Sequence, residues 1–138
     1  MFSKCYSLKS IDLSNFNTQN VYNMREMFSD CNSLNTINLT NFNTQNVTDM
    51  SLMFYNCKSL VYIDLSNFNT KHVTNMRYMF CHCHSLIHID LFNLNTQKVD
   101  FMSHMFYECY SLTNIDLFIG NQMKDIIDGC ISLITIHN

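Results

Sequence analysis

One cysteine every 26 residues constrains this chain more than any other feature. Cys5, Cys31, Cys57, Cys83 and Cys109 keep that interval, and Cys130 follows 21 residues after Cys109, so the last unit is five residues short. Of the seven cysteines only Cys81 stands off the ladder. Other residues keep the same beat. Leu8, Leu34, Leu60, Leu86, Leu112 and Leu133 each stand three after a ladder cysteine. Ile11-x-Leu13, Ile37-x-Leu39, Ile63-x-Leu65, Ile89-x-Leu91 and Ile115-x-Leu117 follow. Phe16, Phe42, Phe68 and Leu94 come next, then Thr18, Thr44, Thr70 and Thr96, Val21, Val47, Val73 and Val99, and Met24, Met50, Met76, Met102 and Met123. A fixed period of this length marks a repeat array, in which no unit buries its own apolar face and stacked units bury a shared one.

Each unit reads as two elements. Leu60 to Leu65 alternates in its second half, which turns Ile63 and Leu65 inward and Tyr62 and Asp64 outward, as a short strand does. Val73, Met76, Phe80 and Cys83, with Met79 beside Phe80, are spaced by threes and fours and predict one face of a short helix. Ser-Asn-Phe-Asn-Thr joins the two. Stacking such units makes a parallel sheet on one face and short helices on the other, so each constant residue becomes a column. The chain is 47% hydrophobic and 14% charged, enough to bury a core. A net charge of −3 without a basic cluster gives no pull toward nucleic acid. No apolar run approaches a membrane span, and the first residues carry no signal-peptide pattern.

The pattern C-x-S-L-x-x-I-D-L-S-N-F-N-T-x-x-V-x-x-M-x-x-M-F resembles the BspA-like leucine-rich repeat. It is most similar to the subfamily first collected from mycoplasma surface lipoproteins as a domain of unknown function. The resemblance covers essentially the whole chain. Phe16, Phe42 and Phe68 stand where classical leucine-rich repeats have Asn. Leu94, Phe92 and Phe118 depart from the unit's pattern, as does the contracted last unit. The resemblance implies an α/β right-handed solenoid without catalytic residues, at a cell surface or secreted, engaged in adhesion to a host or neighbouring-cell protein. The alternatives are a purely structural spacer segment and a cytoplasmic location.

The expected organisation is a single repeat domain over 1–138, about five units with the last, 110–138, contracted. Met1-Phe2 aligns with the unit's own Met-Phe pair, so the chain is expected to be an excerpt of a longer array, with open ends that could self-associate. A ladder cysteine sits close enough to the next for a disulfide, but its apolar position favours a buried thiol. The run Cys81-His82-Cys83-His84 suggests a metal site. Cys83 belongs to the core column, however, and His88 lies on the strand, so four ligands do not converge and no cofactor is expected. Cys81 and His82 stay as weak candidates.

The outward strand positions are the most informative of the variable ones. One column reads Asp12, Asn38, Asp64, Asp90, Asp116; its carboxylates either cap the following loop or attract a cation or a basic partner. Flanking columns carry Tyr62, His88 and Asn114, and Phe92 and Phe118. Exposed aromatics among acids are what protein-binding patches use, which makes Tyr62, Asp64, His88, Asp90, Phe92, Asn114, Asp116 and Phe118 the candidate partner-binding residues. Drift in a decaying array is the competing explanation. Asn38-Leu-Thr40 and Asn46-Val-Thr48 match the glycosylation pattern at a frequency close to chance in so Asn-rich a chain. No nucleophile–base pair or phosphate loop stands out, so the chain is read as non-enzymatic.

Overall fold

The computed structural model describes residues 1–116 and 123–137. Its regular elements are β1 (His88–Asp90), β2 (Asn114–Asp116), α1 (Met123–Ile127) and β3 (Thr135–His137). The strands form one parallel sheet in the order β1-β2-β3. Its register pairs His88 with Asn114, Ile89 with Ile115 and Asp90 with Asp116, then Asn114 with Thr135 and Ile115 with Ile136. On another wall, single parallel bridges join Asn23 to Asp49, Asp49 to Asn75 and Asn75 to Phe101. Both walls are therefore in register at the 26-residue sequence period until the contracted last unit.

The helix expected across Val73 to Cys83 is replaced by tight turns. Met79 N–H donates to the Met76 carbonyl, Cys81 N–H to Tyr78 and Cys83 N–H to Phe80, all three residues back. Every second N–H leaves the segment and reaches the next rung: Met76 to Phe101, Tyr78 to Ser103, Phe80 to Met105 and His82 to Tyr107. Two residues per unit take the left-handed backbone that forbids a continuing helix, here Tyr78 at φ 57° and His82 at φ 61°. A positive φ at the third position is the mark of a type II turn, normally glycine's place. Asn and Asp tolerate it easily; Leu52, with φ 58°, does so against its steric preference. Successive three-residue turns send side chains inward at spacings of three and four, which is why the sequence looks helical. Among the described residues the one helix is α1, in the contracted unit. There His104 N–H still finds the Asp125 carbonyl, Phe106 finds Ile126 and Glu108 finds Asp128.

On the strand wall the bonds run the other way, from a later rung's N–H to an earlier carbonyl. They shorten along the chain: Asn35 to Lys9 at 3.4 Å, Val61 to Asn35 and Ile87 to Val61 at 3.2 Å, Thr113 to Ile87 and Ile134 to Thr113 at 2.9 Å. Regular strand appears only where the rungs close up, so the first three units carry strand-like walls rather than strands.

Between the walls each constant residue forms a column. Phe2, Phe28, Phe54, Phe80 and Phe106 stack with ring centroids 5.5 Å apart and planes within 8°. Met24, Met50, Met76, Leu34, Leu60, Leu86, Ile63 and Leu65 are buried as expected. The ladder cysteines are free thiols. Each one after the first donates to a phenylalanine carbonyl of the preceding rung: Cys31 to Phe2, Cys57 to Phe28, Cys83 to Phe54, Cys109 to Phe80 and Cys130 to Phe106, at 3.0–3.2 Å. Thr18, Thr44 and Thr70 are buried too. The Thr44 hydroxyl donates to the Asn69 carbonyl at 3.1 Å and accepts the Asn69 N–H at 2.8 Å, so one side chain satisfies two groups of the next rung.

Candidate functional site

The outward strand residues fall where the alternation puts them. Tyr62 is 54% exposed and Phe92 83% exposed, beside exposed Asp64 and Asp90. His88 and Asn114 are half-buried and paired across β1 and β2. The Ile87 N–H bond to Val61 brings the Tyr62 and His88 rungs together on this wall. His88 Nδ1 is buried without a hydrogen-bond partner among the described residues. Asp116 pairs with Asp90 through its backbone, and Phe118 lies outside the described residues. Tyr62, His88 and Asn114 are thus gathered on one face with Asp64, Asp90 and Phe92.

The acidic column has a structural duty. Asp12 accepts the Ser14 N–H, Asn38 the Thr40 N–H, Asp64 the Ser66 N–H and Asp90 the Phe92 N–H, all at 2.9–3.0 Å. Each closes the turn that leaves the strand. The Ser14 backbone bond holds the Asp12 carboxyl below its usual range, and Ser66 does the same for Asp64. The capping alternative therefore accounts for why this position is Asp or Asn.

A second group forms on the turn wall, from residues that the spacing within one unit does not bring together. His82 and Glu108 occupy the same left-handed turn position one period apart, with φ of 61° and 56°. His82 Nδ1 lies 3.1 Å from Glu108 Oε2. His84 stands one period before Tyr110, and the two rings stack with centroids 4.8 Å apart. Ligand atoms of His82, His84 and Glu108 all lie within 4.8 Å of one another. Tyr55 and Tyr107 pack nearly perpendicular to the His82 ring, with centroids 5.4 and 5.6 Å away. The Tyr110 hydroxyl, then Tyr107 and His82, hold the Glu108 carboxyl below its ordinary range. Burial, Lys58 and His82 push the His84 imidazole down, opposed by Glu108. Of the two weak candidates from the sequence, His82 belongs to this group and Cys81 does not; Cys81 is buried and its thiol is pushed up to about 12, chiefly by burial. The signal that finds the group is the period itself. The Cys-His-Cys-His run offers ligands within one unit, whereas Glu108 comes from the next.

Two hydrogen-bonded walls around ladders of Leu, Ile, Phe and Cys define a solenoid of the leucine-rich-repeat class. Solved structures agree on that fold. A T. pallidum leucine-rich repeat protein superposes with a TM-score of 0.64 at 21% identity over 99% of this chain and 59% of its own. A leucine-rich cell surface protein of Faecalibacterium prausnitzii A2-165 superposes with a TM-score of 0.62 at 18% identity, over 95% of this chain and 32% of its own. The chain belongs to the BspA-like leucine-rich repeats, in the family described as "Mycoplasma protein of unknown function, DUF285", which matches residues 1–64 and 37–129. No curated protein sequence matched. No helix among the described residues is long and apolar enough to cross a membrane.

Proposed function

We propose that this chain is a non-enzymatic protein-binding repeat module whose strand face captures a partner protein, in the manner of an adhesin, at a cell surface or in secreted form. The observation that carries this reading is exposed Tyr62 and Phe92 flanking His88 on a wall whose constant letters are taken up by stacking. Aromatic side chains lose little conformational entropy on binding and bury large areas, so they dominate protein interfaces. Asp64 and Asp90 rim them with negative charge that suits a partner's basic patch. Of the structural neighbours, the T. pallidum protein is a leucine-rich repeat protein and the Faecalibacterium one a leucine-rich cell surface protein. The array over 1–138 acts as one domain, coiled right-handedly as parallel crossovers are.

A spacer role is favoured by a different observation: the turn-closing bonds give the acidic column a purely structural purpose. Replacing Tyr62, His88 and Phe92 together with Ser separates the two. Loss of binding to a host-cell surface-protein fraction, with an unchanged circular-dichroism spectrum, supports recognition. Retained binding with that triple variant rejects this face.

A further inference from the structure

We propose that His82, His84 and Glu108 bind a divalent transition-metal ion, with zinc the best match to two imidazoles and a carboxylate. The geometry is close to what an ion needs. Zinc bonds of about 2.0–2.1 Å hold tetrahedral ligands about 3.4 Å apart. The three ligand atoms lie within 4.8 Å of one another, and His82 Nδ1 and Glu108 Oε2 are 3.1 Å apart. Contraction of this set to about 3.4 Å fills three ligand positions and leaves the fourth to water.

The scaffold fixes these residues before any ion arrives. His82 N–H bonds the Tyr107 carbonyl at 2.8 Å and Glu108 N–H the Asp128 carbonyl at 3.0 Å, which anchors both ligand positions in the turn ladder. The His84 ring stacks on Tyr110 with centroids 4.8 Å apart, which orients it as groups behind metal ligands do. His84 Nε2 is buried without a hydrogen-bond partner among the described residues, an orphan that native structures rarely keep without a reason. The equivalent positions in earlier rungs are Lys4 with Tyr6, Asp30 with Asn32 and Asn56 with Lys58, so only this rung pair offers three ligands. Lys58, one rung before His84, opposes the ion's charge and limits affinity. Because the ligands come from two successive rungs, the ion would clamp them together.

Protein made without an affinity tag and stripped by a chelator is titrated with Zn²⁺ by calorimetry and with Co²⁺ by visible absorption. The expected result is one equivalent bound, a tetrahedral Co²⁺ spectrum without a thiolate charge-transfer band, and a raised Tm. His84→Gln and Glu108→Gln each weaken binding at least tenfold, while Cys81→Ser leaves it unchanged. Each variant keeps the metal-free circular-dichroism spectrum. Absence of stoichiometric binding overturns the site, as does binding that survives both ligand variants or depends on Cys81.

Discussion

Thr44→Val isolates the contribution of the threonine column. The substitution keeps the shape of the side chain and removes its hydroxyl. Thr44 is 1% exposed, and its hydroxyl makes two bonds to Asn69, at 3.1 and 2.8 Å. Each such bond is worth about 0.5–1.5 kcal/mol net, so the pair contributes about 1–3 kcal/mol. The methyl that replaces the hydroxyl returns up to about 0.8 kcal/mol through burial. Asn69 is an exposed residue, so water recovers part of the desolvation of its N–H and carbonyl. The expected loss is therefore about 0.2–2 kcal/mol, or up to roughly 10 °C in Tm for a chain of this size. Urea unfolding followed by far-UV circular dichroism reads the change, with the slope compared as well, because repeat arrays can lose two-state behaviour. Thr48→Val is the matched control: its hydroxyl is exposed and bonds the Tyr22 carbonyl, so the change should stay within about 0.5 kcal/mol. A Thr44→Val protein as stable as the parent would refute the reasoning. It would mean that apolar packing alone holds this column.

Further outcomes follow from the same columns. Leu60→Ala opens a cavity between rungs at a residue with no exposed surface and should cost about 2–5 kcal/mol; a change near zero in the same urea assay contradicts its place in the core. A thiol-reactive dye should label exposed Cys5 quickly in the native protein and Cys57 only on unfolding, as counted by mass spectrometry. The buried thiols of Cys31 and Cys57 make stability fall as pH rises into the alkaline range. Burial pushes Cys31 up to about 11 and raises Cys57 further, so the neutral thiol is favoured in the folded chain; its contribution is full below the unfolded thiol's pKa of about 8.5 and is lost as pH rises through the folded value. A Tm that does not fall between pH 8 and pH 11 would contradict these buried positions.

The period makes the columns legible from the sequence alone. Leu60, Ile63, Leu65, Phe68, Met76 and Cys83 point inward by their spacing, and all are buried. The turn wall is not legible in the same way, because spacings of three and four suit a helix and a chain of three-residue turns equally. The deciding information is lateral. His82 N–H bonds the next rung instead of its own segment, and Leu52 and Tyr78 accept a left-handed backbone that their residue types disfavour. Neighbour rungs supply the free energy that local propensity lacks. The exposed face is readable at Tyr62 and Phe92 from alternation alone. Glu108 is hidden as a partner of the His82 and His84 pair because it stands a full period after His82 and meets them only through stacking.

Constant letters build the walls, and Tyr62, His88 and Phe92 are the residues proposed to carry recognition. The most direct measurement is surface plasmon resonance of immobilised chain against a solubilised host-cell surface-protein fraction, comparing the parent with the Tyr62→Ser, His88→Ser, Phe92→Ser triple variant. The expected result is a saturable response from the parent and at least a tenfold loss in the variant, with its Tm within a few degrees of the parent's. An equal response from both proteins would contradict it.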